Sequence, residues 1–332
     1  MLHYRGTPGG SGGHDVENHL PQTLGCRGRG ENEGDVLTSG PRKRPTRTDP
    51  LVSHGRHFGR TIHSFCRIFP LIKEGLSREV QFKAGLLRYT DLSNQELREH
   101  RIYKELVEAV PDLGERLLTS AEQEIHYIAE MLNKGSMGAR ADDTKSLKSV
   151  VIDWITPLGG SLSPPLSRNV KTDRGFFHER TGRLLCPATL NWDDNEIQKQ
   201  LKTGQIIVSG DNWPIFLYRD HTLNAENPWD GLFQGELLVS AFKHVFTCPS
   251  SVEKETRATR AGNAEIHGMR SVTIASLAYI STLIHFALGS SAVFSRNDKA
   301  TDSERFYRSV IEFLETPSEK AEVEDLLRWW NV

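Results

Sequence analysis

His178 and Glu179, followed by Asp211, Asp220 and His221, are the residues of this chain whose types could hold a metal ion or move a proton in hydrolysis. Adjacent residues of an extended chain face opposite ways, so His178 and Glu179 would seldom share one ion. No HExxH run, CxxC pair or Cys-His array accompanies them. Cys186 lies in Leu184-Leu185-Cys186-Pro187, an apolar setting that favours a buried, inert thiol over a nucleophile.

A second chemistry is phosphate binding. Arg168, Lys171, Arg174 and Arg180 punctuate one stretch, and Lys254, Arg257, Arg260 and His267 another. Should the two meet, with Phe176 or Trp213 as a stacking face beside His178, they form a candidate site for nucleic acid or a phosphorylated partner. Salt bridges to Asp173, Glu179 and Glu253 are the competing use of the same charges. A short basic cluster, Pro41-Arg42-Lys43-Arg44-Pro45-Thr46-Arg47, reads either as a nuclear-import signal or phosphate contact, or as solvated charge. Two other matches have no context. Gly9-x-Ser11-x-Gly13 lacks the strand and helix of a nucleophile elbow, and Gly25 to Gly34 lacks the Lys-Ser/Thr of a phosphate loop.

Composition limits what must position these residues. The chain has 332 residues, of which 37% are hydrophobic and 25% charged, so a sizeable core is available. Its 41 basic and 43 acidic residues give a net charge of -2, which leaves no global positive field for nucleic acid or an anionic membrane. The 4 cysteines are far apart, there is no Asn-x-Ser/Thr sequon, and Met1 to Gly13 has no apolar h-region. These features predict reduced thiols and an intracellular protein, nuclear or cytoplasmic. Ser271 to Ser295 has no Asp, Glu or Lys or Arg, yet its many Ser and Thr mark a buried core helix instead of a membrane span.

Residues 1–53 are Gly-rich and poor in apolar pairs, which predicts a disordered arm; residues 54–332 read as a single helical domain. Phe58, Ile62, Phe65, Phe69 and Ile72 recur at helical steps, with Pro70 expected to interrupt or kink that helix. A helix is expected over Asn94 to Val110, and a short one from Asp112. A third begins at Ser120 and stops at Gly135; a fourth follows from Asp142 or Asp143 to Pro157. Pro157 to Pro187 should be one long loop, a feature that usually binds something or wraps the surface. After it come a short helix ending at Gly204 and two brief extended pieces, Gln205 to Val208 and Trp213 to Tyr218, paired across Ser209 to Asn212. Helices close the chain at Trp229 to Phe246, at His267 or Ser271 to Leu288, after Asp302 and after Ser318. The fold class is therefore mainly α, a multi-helix globular domain with a long central loop and a small extended or β element. Trp213, Trp229, Trp329 and Trp330 flank apolar helices and read as core, or as anchors for a partner.

Several runs carry a family resemblance: Arg140-Ala-Asp-Asp143, Arg174-Gly-Phe176, Leu184-Leu-Cys-Pro187, Trp213-Pro-Ile-Phe-Leu-Tyr218, Phe242-Lys-His-Val-Phe246, Ile266-His-Gly-Met269 and Ser303-Glu-Arg-Phe-Tyr307. With them the chain resembles, from His54 to Asn331, a family of uncharacterised proteins with a domain of unknown function from mushroom-forming (basidiomycete) fungi. The resemblance implies boundaries and no activity. It also implies a polar residue, often His, where Phe177 stands, and relatives that continue beyond Val332. The default reading is a non-enzymatic interaction or scaffold protein, contacting a protein partner or nucleic acid through its basic loops. No cofactor is expected. The competing reading is a metal-assisted hydrolase using the 178–221 region.

Overall fold

The computed structural model describes residues 49–247, 262–266, 268–294 and 302–331. Helix begins at Pro50, four residues ahead of the expected boundary at 54. The Asp49 carboxylate accepts from the Leu51 amide at 2.8 Å and from the Tyr127 hydroxyl at 2.6 Å, which fixes the start of α1, Pro50–Thr61. The helix expected to be interrupted or kinked at Pro70 is two helices, and the break falls ahead of the proline. α1 ends at Thr61 and α2, Ile68–Lys83, opens ahead of the proline. Pro70 falls in the first turn of α2, where an absent N–H forfeits no intrahelical bond. α3, Asn94–Ala109, starts where expected and ends one residue short of Val110, with Ser93 and Glu96 as its capping box, and α4 is Leu113–Thr119.

A larger correction concerns the two helices expected on either side of Gly135. They are one, α5, Glu122–Ile155, with 34 residues. Gly135 does not end a helix; it lets α1 approach. A Cβ there would lie 2.1 Å from the Val52 carbonyl oxygen, and one on Gly55 would lie 2.1 Å from that of Leu132. The two backbones touch because neither side has a methyl group to separate them.

The long central loop contains a short helix, α6, Glu179–Leu185, and is followed by α7, Asn195–Thr203, capped by Asp194 and closed by left-handed Gly204. The two expected extended pieces form no strands. Ile215–Leu217 makes a 3-10 turn, and the described residues here have only isolated bridges, Pro187 to Pro214 and Tyr218 to Leu232. Ser209 and Asn212 close a turn on themselves, the Ser209 amide donating to Asn212 Oδ1 at 2.9 Å, and pair no strands. The helix expected over Trp229 to Phe246 is confined to α8, Glu236–Phe242, and a π turn, Lys243–Thr247. Then come α9, Asn263–Ile266; α10, Ile274–Leu288; α11, Ser303–Leu314; and α12, Lys320–Trp330. α10 is buried almost throughout, and no helix among the described residues is long and apolar enough to cross a membrane.

Buried apolar side chains form two main clusters. One joins α1 to α4 with the first half of α5 through Phe58, Ile72, Leu106 and Leu132. The other joins the second half of α5 with α8, α10 and α11 through Leu147, Val151, Leu283 and Val310. α5 runs through both as a common spine.

Candidate functional site

Ile62 to Arg67, the turn between α1 and α2, lies at the seam of the two clusters. The backbone of this turn and of Thr61, the last residue of α1, is tied to three segments that follow later in the chain. Tyr307 of α11 accepts from the Ser64 amide at 3.2 Å, Arg140 of α5 donates to the Ser64 carbonyl at 2.8 Å, and Thr273, just before α10, donates to the Thr61 carbonyl at 2.8 Å. Burial pushes the Tyr307 hydroxyl well above the ordinary range of a phenol, so it is a neutral partner here. The turn is thereby held as a ridge with a concavity on each side.

The first concavity, about 610 Å³, lies between α2, α3 and α11. Phe65, Leu71, Ile102, Tyr307 and Ile311 supply its apolar wall, and both signs of charge surround it: Arg67, Arg98 and Arg308 with Glu74, Glu99, Glu304 and Glu312. Some of these charges neutralise one another, as in Arg98 with Glu312 and Arg308 with Glu304. Arg67 and Glu74 make no ion pair among the described residues. The second concavity, about 510 Å³, lies between the same turn, the start of α2 and the α5 face that bears His126, Asn133 and Arg140.

The model of a family of unknown function, DUF6698, matches residues 134–332. The chain belongs to that family. No curated protein matches it, and no solved structure does. The DUF6698 match begins inside α5, next to Gly135, and leaves α1 to α4 outside. The first concavity is therefore shared: α2 and α3 lie before the match, whereas Glu304, Tyr307, Arg308, Ile311 and Glu312 lie within it.

None of the candidate phosphate, hydrolase or stacking residues named above lines either concavity. Lys171 and Arg174, expected as phosphate ligands, are inside the DUF6698 region at 1% and 0% exposure. The Lys171 ammonium donates to the Phe286 carbonyl and sits 3.3 Å from the centre of that ring. Arg174 donates to the carbonyls of Ala287 at 2.8 Å, Lys148 at 2.9 Å and Ser167 at 2.8 Å. Both cations thus serve the C-terminal end of α10, where orphan carbonyls and the negative end of the helix dipole attract positive charge. Arg168 is exposed and paired with Asp153, and Arg180 donates to the Ile155 carbonyl at 3.1 Å. Arg257, Arg260 and His267, with Lys254 and the 41–47 cluster, lie outside the described residues.

Three of the hydrolase candidates, His178, Glu179 and Asp211, are likewise committed elsewhere. His178 is buried; its Nδ1 accepts from the Arg180 amide at 3.0 Å and its Nε2–H donates to the Pro164 carbonyl at 2.8 Å. That assigns a neutral tautomer that caps α6. Glu179 accepts from Trp192 Nε1 at 2.8 Å, and Asp211 pairs with Arg305 at 2.7 Å. Among the described residues no three of His, Cys, Asp and Glu are grouped to hold a metal ion. Cys186 is buried, and desolvation pushes its thiol up to about 11. Trp213 donates Nε1 to Ser309 at 3.0 Å and meets Phe233 and Phe313 edge-on, so it packs in the protein and offers no open ring face on those sides. Trp229 donates to Glu319 at 2.7 Å, and Trp330 to the Phe233 carbonyl at 3.1 Å.

Sequence patterns missed the residues around the seam because they come from segments remote in the chain. One local signal was present: Gly55 and Gly59, four apart, mark a helix face that another backbone can approach.

Proposed function

We propose that this protein is a non-enzymatic interaction module that binds a polypeptide partner in the concavity between α2, α3 and α11. The observation that supports this most is the composition of that surface: an apolar wall surrounded by charges of both signs, with Arg67 and Glu74 unpaired among the described residues. An apolar strip between helices, flanked by charge, suits an amphipathic helix. The four glutamates on the same surface would repel a phosphate backbone, which favours a polypeptide over nucleic acid there.

Contact with nucleic acid or a phosphorylated partner through the two basic loops has less support, because Lys171 and Arg174 spend their donors on backbone carbonyls. Metal-assisted hydrolysis in the 178–221 region has less support for a parallel reason: His178, Glu179 and Asp211 each hold another protein group. A reducing intracellular location, nuclear or cytoplasmic, is inferred from the scattered cysteines, and a basidiomycete source from the sequence resemblance.

The test is parallel capture from native cell extract by the full chain and by a Glu74→Arg/Arg308→Glu variant. Both side chains are exposed, so the variant should fold. A polypeptide held by the original chain and lost from the variant supports the proposal. Equal recovery of everything captured rejects it.

A further inference from the structure

The second concavity has a different character. α2 has 16 residues, and no side chain caps its N-terminus. The amides of Ile68 and Phe69 have no acceptor within the helix, and Pro70 has no N–H. Two arginines line the same space. Arg67 is exposed and makes no ion pair among the described residues, while Arg140 lies 5.0 Å from the centre of the Phe65 ring. Glu130 is the sole carboxylate among the lining residues. His126 is stacked on Phe69 at 3.7 Å, which closes the wall above the helix start.

An independent observation points to a ligand. Ser64 lines this concavity, is 4% exposed, and its hydroxyl has no hydrogen-bond partner. A buried hydroxyl with no partner is costly and uncommon, and an acceptor entering from the concavity would satisfy it. Free helix amides, the Arg67 guanidinium and a hydroxyl donor, with the charge of Arg140 nearby although its Nη1 already holds the Ser64 carbonyl, together describe a receptor for an oxyanion. The positive end of the helix dipole adds to the same field.

We propose that the concavity between the start of α2 and α5 binds a phosphate group. Two sources carry that chemistry, a free phosphorylated compound and a phosphoserine on a partner protein, and they present the same three oxygens to these donors. The site shares Phe65, Cys66, Arg67 and Pro70 with the polypeptide concavity on the other side of the turn, and its test needs no partner.

The probe is inorganic phosphate, titrated at constant ionic strength into the full chain while the amide signals of Ile68 and Phe69 are followed. Saturable shifts are expected. Arg67→Ala should weaken binding about tenfold, the usual worth of one charge-assisted hydrogen bond, and Arg67→Lys should restore part of it. Ser64→Ala should weaken binding without lowering the melting temperature, because it removes a hydroxyl that the free protein leaves unpaired. A phosphoserine peptide that binds tighter than inorganic phosphate assigns the site to a protein partner, and equal affinity assigns it to a free compound; both support the site. Absence of saturable shifts, or shifts that Arg67→Ala leaves unchanged, overturns it, and the polypeptide proposal would be unaffected.

Discussion

Arg60 and Asp143, from α1 and α5, meet through two hydrogen bonds of 2.8 Å with both side chains buried. The Tyr279 hydroxyl of α10 donates to the same carboxylate at 2.7 Å. Three helices are therefore registered by one buried anion at the seam between the two apolar clusters. Asp143→Ala would leave the guanidinium charge inside without a counter-ion and should cost about 3–5 kcal/mol in urea unfolding. The double change Arg60→Met/Asp143→Leu should cost less than Asp143→Ala alone. A loss below about 1 kcal/mol for Asp143→Ala would mean the pair is not buried as described.

Gly135 and Gly138 lie on one helix, and their alanine variants should behave oppositely. Alanine is the better helix former by about 1 kcal/mol. At Gly138 the nearest obstacle is the end of the flexible Arg56 side chain, 3.2 Å from a new Cβ, so much of that gain should appear. At Gly135 the obstacle is the α1 backbone at 2.1 Å, so Gly135→Ala should lose about 2 kcal/mol or more. Thermal melting of the two variants side by side decides it.

Arg174→Ala should be severe for a residue on an irregular loop, at about 3 kcal/mol or more, because several buried carbonyls lose their donor together. Arg168→Ala, which breaks an exposed ion pair six residues earlier, should change stability by no more than about 0.5 kcal/mol. Similar losses for both would indicate that Arg174 is solvated.

His100 is buried at 2% exposure, and neither ring nitrogen has a hydrogen-bond partner. Phe82, Tyr89 and Tyr103 surround the ring, Glu79 lies 3.9 Å from Nε2, and Arg78 and Lys104 are near. Burial depresses its pKa below 6.5, so the folded chain binds fewer protons at this position than the unfolded chain. Stability linked to His100 is present above about pH 6.5 and falls as the pH drops below it. The melting temperature of the natural protein should therefore fall between pH 7.5 and pH 5 more steeply than that of His100→Leu. Parallel curves would contradict this.

Elements whose ends and faces are set by adjacent residues were legible in the sequence. α3, α7 with Asp194 and Gly204 at its ends, and α10 with its run free of charge all occupy their expected places. Elements decided by distant contacts were not. Gly135 has the local character of a helix stop, but α1 packs on it and the helix continues. Ile206 and Val208 have strand character, yet they pack against the small cluster of Cys186, Trp192 and Leu201 instead of pairing. The basic loop reads as a ligand site because charge is legible in sequence. That Lys171 and Arg174 turn inward depends on where α10 ends in space, which no local pattern records. The surface around the seam was invisible for the same reason, since periodicity shows which face of each helix is buried but not which faces meet.

If the concavity between α2, α3 and α11 holds a polypeptide, that polypeptide lies within reach of its lining side chains. A photo-crosslinking residue placed at Gln95, which lines it and is exposed, tests this most directly in the full chain inside native cells. The same probe at Lys199, exposed on α7, is the control. A discrete polypeptide adduct is expected from position 95, absent from position 199 and lost when Glu74→Arg/Arg308→Glu is added. No adduct at 95, or the same adduct from both positions, would contradict it.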